Sequence, residues 1–370
     1  MRPGLEEERS IRGRCFERIL MIRLSAVGDV VRTLPSVAVL RKNFPSARIT
    51  WMVEEKSSDI LSGQPELDEV MIFPRAAWTR SLARGRWWSL GRDVIGFVRG
   101  LRRERFDLVV DFHGILKSGF LSLLSGADVR VGFERGFCRE GNYLFNNRRV
   151  ALLNARVSRF ERNRKLLEGV GLETRGCHLR PYVAPEDRRY ASNFLKSKGL
   201  LARYPLIAIN PGTSEKLRYK RWFPERYAQL ADGLVKDLGA FIIVTWGPGE
   251  LETAQKVQSL MESPAVVACP TSLKQLAGIY EHCHLYIGSD TGPMHMASLM
   301  GVQVVGIYGP TDPVLYAPYS GTPSVQVRKE VACSPCRNRK CEKLDCLKAI
   351  GYKDVLKAAK DLLIKIKEAS

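Results

Sequence analysis

The stretch SDTGPMH (289–295) follows an apolar run, HLYIG (284–288), and leads into a segment with helical spacing. A second stretch of similar design, SAVGD (25–29), follows RILMIRL (18–24) near the other end of the chain. Each reads as a strand that passes through a short turn into a helix. Such junctions are ready anion sites, because the first N–H groups of a helix lack intrahelical partners and its dipole adds positive charge there. In the later junction Asp290 is placed to cap the helix, Pro293 suits its first turn, and Gly292 lets the backbone approach a ligand. Any α/β protein needs caps of this kind. Two such junctions far apart in one chain point to two nucleotide-type domains facing each other.

The segments between them repeat the pattern. ITWMVEE (49–55), DEVMIF (68–73) and FDLVVDFHG (106–114) read as further strands, with helices expected over 30–43 and 90–104. A connection runs over 182–204, with Pro185, a polar helical stretch and Gly199. PLIAINPGTS (205–214), FIIVTWGPGE (241–250) and VQVVGIYGPTDP (302–313) are strand–loop units of a second series. Apolar strands alternating with helices belong to parallel sheets covered on both faces. The class is therefore α/β, with two Rossmann-like domains expected over 18–184 and 185–351. A short disordered extension is expected over 1–17 and a Lys-rich amphipathic helix over 352–370.

With 370 residues, 45% of them hydrophobic, the chain is long enough for two real cores. Its 58 basic residues against 39 acidic ones give a charge of +19, so an anionic partner is expected. Nucleic acid, acidic lipid and phosphorylated small molecules all fit. No apolar run reaches the length of a membrane span, and MRPGLEEERSIRGRC lacks the apolar core of a signal peptide. The protein is expected in the cytoplasm, where its nine cysteines are thiols or ligands rather than disulfides.

Several residues carry chemistry. Asp29 opens a helix at a strand end; it is either a plain cap or a carboxylate that takes a proton from a hydroxyl nucleophile. Thr213, Ser214 and Lys220 flank one strand end and together make a diphosphate clamp. Glu250, after the next strand, is placed to accept from a ribose. His295, one turn into its helix, is a core histidine or a donor to a phosphate or sugar oxygen. Arg75, Trp78, Arg80, Arg84, Arg86, Trp87 and Trp88 read as a basic–aromatic loop, suited to an anionic amphiphile at a membrane surface or to single-stranded nucleic acid. Cys333, Cys336, Cys341 and Cys346 have a spacing compatible with zinc or an iron–sulfur cluster, amid Arg337, Arg339, Lys340 and Lys343.

Taken in order, RLSAVGDVVRTLP (23–35), WMVEE (51–55), DFHGILKSG (111–119), NPGTS (210–214), KRWFPE (220–225), SDTGPMH (289–295) and YGPTDP (308–313) resemble the ADP-heptose-dependent lipopolysaccharide heptosyltransferases of glycosyltransferase family 9. The resemblance covers about residues 18–368. The VEE, FHGILKSG and YGPTDP segments look most like heptosyltransferase I, and the cysteine-rich segment more like heptosyltransferase II.

The resemblance implies a GT-B fold with two Rossmann-like domains across a cleft, an acceptor-binding N-terminal domain and a nucleotide-sugar-binding C-terminal one. It implies a final helix that returns to the N-terminal domain. It also implies inverting transfer of heptose to the Kdo of Kdo-lipid A, with no required cofactor and no metal in the site. Asp29 takes the place of the general base. Lys220, Thr213 and Ser214 match the donor-phosphate site, and Asp290, Thr291, Gly292 and His295 the heptose site. Arg75, Arg80, Lys117 and Arg139 fall where the family holds acceptor carboxylates and phosphates. The expected protein is a monomer that binds no nucleic acid and lies peripherally on the anionic cytoplasmic face of the inner membrane. The alternatives are heptosyltransferase II or another family 9 transferase and, from a different class, a metal-dependent nucleic-acid-binding protein.

Overall fold

A computed structural model describes residues 10–154, 156–336 and 338–367. The chain forms two units, the first ending at Tyr182 and the second beginning at Val183. In the first, β1 (Arg18–Ile22) leads through α1 (Val27–Thr33) and α2 (Pro35–Asn43) to β2 (Arg48–Glu54) and β3 (Glu69–Phe73). Then come α3 (Arg75–Ala83), α4 (Trp87–Arg103), β4 (Leu108–Asp111), α5 (Leu116–Leu124), β5 (Val129–Phe133), β6 (Arg148–Val150) and α6 (Arg159–Glu168). The second unit begins with α7 (Pro185–Ser197), β7 (Leu206–Asn210), α8 (Pro224–Leu238), β8 (Phe241–Val244), α9 (Leu251–Leu260) and β9 (Ala265–Val267). It continues with α10 (Leu273–Tyr280), β10 (Leu285–Ser289), α11 (Gly292–Leu299), β11 (Gln303–Ile307), β12 (Ser324–Val327), α12 (Asp345–Lys348) and α13 (Tyr352–Lys367).

The two sheets share one topology. The first runs β3-β2-β1-β4-β5-β6 and the second β12-β11-β10-β7-β8-β9, which is the same order with the roles of the strands carried over and the list reversed. All neighbours pair in parallel. Each sheet therefore has a switch point, between β1 and β4 and between β7 and β10, where successive connections leave in opposite directions and a crevice opens at the strand ends. The central strands are buried throughout, as their unbroken apolar runs require.

Four expectations are corrected. The helix expected over 30–43 starts at Val27 and is split, because Pro35 has no N–H to continue α1 and instead sits at the start of α2. The stretch over 75–88 is helical: Arg75 to Ala83 form α3, and Trp87 and Trp88 open α4. These helices are held by an aromatic triangle, with Trp78 edge-on to Phe73 and Phe97 at centroid distances of 5.0 and 5.5 Å. Of the extension, residues 1–9 lie outside the described residues, but 10–17 are tied down at two points. Ile11 is fully buried with its N–H donating to Val170 O at 2.9 Å, and Phe16 meets Phe44 edge-on. Finally, α13 sets Val355, Ala359, Leu362 and Leu363 into the core of the second unit rather than on the first. Its amphipathic pattern demanded a covered face, and Lys360, 2.8 Å from Asp237 on α8, fixes which one; residues 368–370 lie outside the described residues.

Candidate active site

In the first unit the charged groups gather at the β1/β4 switch point. Arg23, just past β1, donates from Nη1 to Phe112 O at 2.7 Å and places Nη2 2.7 Å from Asp29 Oδ2. Arg32, one turn along α1, holds Asp29 Oδ1 at 2.6 Å. Ala26, not Asp29, is the N-cap of α1, so the carboxylate is committed to guanidiniums rather than to capping. Burial would raise the Asp29 carboxyl, but Arg23, Arg32 and Arg159 outweigh it and hold it far below the usual carboxylate range.

The end of β4 supplies the rest. Asp111 is fully buried; Oδ1 accepts from the N–H of His113 and Gly114, and Oδ2 from Ser118 Oγ at 2.8 Å and Asn142 Nδ2 at 2.6 Å. Burial raises its carboxyl against these donors. Asp111 thus shapes the turn that presents His113 and Lys117. Glu54, at the end of β2, accepts from Lys117 Nζ at 2.7 Å and pairs with Arg75 at 3.1 Å. The structure therefore brings Arg75 and Lys117 onto one buried carboxylate. Arg139 is anchored by its N–H to Gly114 O at 2.8 Å and its side chain is exposed. Burial, with the charges of Arg159, Arg23 and, least, Arg139, lowers the Arg162 guanidinium to about 9. Arg80 is not drawn in: its side chain is exposed on α3 and forms no ion pair among the described residues.

His113, Arg23, Glu54, Arg159 and Arg162 were not singled out in the sequence. The signal for the last two was their spacing on one helix, three apart. His113 Nδ1 accepts the Leu24 N–H at 3.2 Å, so Nε2 carries the proton of the neutral ring. Burial lowers its imidazole to about 3, with Arg23, Lys117 and Arg75 helping and Asp29 opposing. The unfolded chain takes that proton near the ordinary value, so between the two values the unfolded state binds more protons. Stability on this account is full above about pH 6.5 and declines toward pH 3, by at most about 1.4 kcal/mol per unit. His113→Gln, which keeps an acceptor for Leu24, is expected to flatten the slope. Urea titrations between about pH 7 and pH 5 check this; equal slopes for both proteins would clear His113 of the effect.

The second unit repeats the arrangement with different chemistry. After β10, Asp290 is almost fully buried. Its Oδ2 takes Lys220 Nζ at 2.7 Å and its Oδ1 lies 3.2 Å from His295 Nε2, itself buried. Thr291, not Asp290, is the N-cap of α11, and Pro293 stands in its first turn as expected. Lys220 also lies over the Tyr316 ring at 5.1 Å. After β7, Thr213 is buried while Ser214 is exposed, and Arg221 donates to Thr213 O at 2.5 Å. Glu250 bridges the next loop, its Oε2 accepting from Gly247 N at 3.0 Å. It presses against Gly212 so closely that a Cβ there would lie 2.2 Å from Oε2, which is why the NPGTS loop needs glycine at that point. Burial raises the Glu250 carboxyl, opposed by the Gly247 bond and Arg221.

All nine cysteines are free thiols. Cys346 is buried and Cys333 exposed, and the buried thiol is pushed up by burial and by the three other cysteines of its segment. Among the described residues no three His, Cys, Asp or Glu side chains are disposed to hold a metal ion.

Two Rossmann-like units of one topology, each with its charged residues at its own switch point, are the two parts of which a GT-B fold is built. The chain belongs to glycosyltransferase family 9 (heptosyltransferase), whose profile matches residues 94–347. It is 26% identical over 316 residues to the lipopolysaccharide core heptosyltransferase OpsX of Haemophilus influenzae, covering 83% of each chain. It is 26% identical over 331 residues to lipopolysaccharide heptosyltransferase 1 of Pseudomonas aeruginosa, covering 88% of this chain and 87% of that one. Among solved structures it is similar to a family 9 transferase of Veillonella parvula, with a TM-score of 0.75, 26% identity, and 97% and 99% of the two chains covered. It shares its fold with an Escherichia coli heptosyltransferase solved with ADP, with a TM-score of 0.70 at 23% identity over 93% and 99% of the chains. The protein is thus a glycosyltransferase of the lipopolysaccharide heptosyltransferase family.

Proposed function

We propose that the protein transfers heptose from ADP-heptose to the Kdo of Kdo-lipid A, in the manner of heptosyltransferase I. The carrying observation is the contrast between the two switch points. The first holds a carboxylate amid arginines and Lys117, chemistry that fits an acidic acceptor and the removal of one proton from its hydroxyl. The second holds a lysine on a buried aspartate beside a helix start, chemistry that fits a sugar diphosphate. In an inverting displacement the acceptor oxygen bonds to the anomeric carbon as the bond to the diphosphate breaks. Asp29 takes the hydroxyl proton, and Lys220 with the first N–H groups of α11 meets the charge growing on the departing ADP. Asp290 and His295 offer an acceptor and a donor to heptose hydroxyls, Glu250 an acceptor to the ribose, and Thr213 and Ser214 their hydroxyls to phosphate. These groups supply the charge stabilisation themselves, so the reaction needs no metal.

The named relatives and the ADP in the Escherichia coli structure support an ADP-linked donor and a lipopolysaccharide acceptor. Purified protein offered ADP- and UDP-sugars, with Kdo-lipid A or its monoheptosylated product as acceptor and EDTA present, is expected to transfer only from ADP-heptose and only to the former. Transfer to the monoheptosylated acceptor instead would reassign it to the heptosyltransferase II reaction. Among the described residues no helix is long and apolar enough to cross a membrane. The lipid acceptor is then met by peripheral attachment of a monomer to the anionic cytoplasmic face of the inner membrane, with the exposed Trp87 and Trp88 and their neighbouring arginines in contact.

A further inference from the structure

Helices α4 and α5 cover the same face of the first sheet. Phe97 and Leu101 of the one, and Leu121 and Leu124 of the other, close on a single core with Leu20, Ile22 and Val109. Their outer faces carry large apolar side chains that this core does not use. On α4, Trp87, Trp88 and Ile95 are 65%, 95% and 52% exposed. On α5, Leu116, Phe120 and Leu123 are 49%, 51% and 42% exposed. Their spacing of four and three residues lines them along one side of the helix.

The patch on α5 is extended by the neighbouring 3-10 turn, Asn142–Phe145. A Cβ at Gly119 would lie 2.8 Å from Phe145, so the turn packs directly on the helix, with the Phe145 ring edge-on to Phe120 at 6.2 Å. Leu144 at its tip is 65% exposed. Cations rim this surface. Arg135 and Arg149 lie over the Tyr143 ring at 6.0 and 5.8 Å, Arg139 is exposed beside them, and Arg92, Arg99 and Arg103 are exposed along α4. The acids on α4 and in the 134–149 segment are Asp93, Glu134 and Glu140, and Glu140 accepts the Leu116 N–H at 3.2 Å.

We propose that this face docks on an anionic lipid leaflet, and that the patch of α5 and the 3-10 turn receives the acyl end of the lipid acceptor. The second part rests on the acceptor proposed above. A large apolar patch ringed by arginines matches an anionic amphiphile, with apolar area for the chains and guanidiniums for phosphates. Helix α5 joins patch to site, since Lys117, between Leu116 and Phe120, reaches Glu54 at the strand ends.

The test is flotation of the full chain with phosphatidylethanolamine vesicles, with and without phosphatidylglycerol. Wild type is expected to float with the anionic vesicles, less so as salt rises. Leu116→Ser/Leu144→Ser and Trp87→Ala/Trp88→Ala should each lower the bound fraction several-fold, while Leu201→Ser, an exposed leucine of the second unit, should not. Leu116→Ser/Leu144→Ser should also raise KM for the acylated acceptor about tenfold, leaving turnover of the same acceptor stripped of its acyl chains unchanged. Wild-type flotation by that variant, at an unchanged Tm, would overturn the docking face. So would a change confined to self-association in sedimentation velocity, which would make the patch an interface between copies. The vesicle arm uses no substrate: a protein that floats as expected but ignores Kdo-lipid A keeps the face and loses the acceptor.

Discussion

Asp29→Ala is expected to lower turnover by about 10²–10⁴-fold, the usual cost of losing a general base, which is about 3–5 kcal/mol of barrier. Binding of ADP-heptose, followed by calorimetry, should not change, because the carboxylate belongs to the unit whose chemistry fits the acceptor. Asp29→Asn keeps the shape and should lose as much. The surroundings add a second, sharper expectation. Arg23 and Arg32 keep Asp29 ionised far below the ordinary carboxylate range, so it is a weak base at rest. The proton must then pass late, once the forming bond to the anomeric carbon has acidified the acceptor hydroxyl. The acid limb of kcat/KM should accordingly show no carboxylate step from Asp29 above about pH 4. Near wild-type turnover in Asp29→Ala would remove the base assignment and leave Asp29 as the anchor of two arginines.

The inner strands β1, β2, β4, β7, β8, β10 and β11 were legible because they are buried on both faces, so their apolar runs need no periodicity to be seen; the short edge strands β6, β9 and β12, partly exposed, were not, nor was β5, whose run Arg130 interrupts. The two junctions at 25–29 and 289–295 were legible because turn and helix-start chemistry is local. What joins Lys220 to Asp290 is not local. They lie 70 residues apart and meet only because β7 and β10 are neighbours in the sheet. Glu54 and Lys117, 63 residues apart, likewise meet only through the sheet, across the end of β1, which lies between β2 and β4. The sequence places each charge at a strand end, but only the strand order shows which ends adjoin.

The misreadings share that origin. Asp290 has the residue type of a cap, yet a buried lysine competes for it and Thr291 stands at the N-cap instead. The 75–88 stretch has the composition of a helix, with Ala76, Ala77, Leu82, Ala83 and its arginines all good helix formers and one break at Gly85, and Trp78 and Phe97 pack the two helices on Phe73. The destination of α13 could not be read from its own pattern either, since amphipathicity specifies a covered face and not the cover. Arg23 and Arg32 flank Asp29 in the sequence itself, at spacings that permit the clamp.

Lys220→Ala is expected to weaken donor binding and to lower kcat by about 10²–10³-fold, the cost of losing one preorganised donor to developing charge. The ammonium is 11% exposed and its present partner, Asp290, is 3% exposed. The pair therefore needs separating into its structural and its catalytic share. Removing Lys220 alone takes the ammonium from a buried carboxylate, and of the order of 3–5 kcal/mol of stability can go with a buried pair broken in this way. Lys220→Ala/Asp290→Asn removes the uncompensated charge, so much of the lost stability should return, and a double-mutant cycle on urea unfolding measures how much. Activity should not return with it. If Lys220 acts on the diphosphate, the double variant still lacks the cation that the leaving group requires, and kcat stays low in a protein of restored stability. Recovery of turnover in step with stability would make Lys220 a structural counterion to Asp290. Unchanged kcat and donor KM in Lys220→Ala would remove it from the phosphate site altogether.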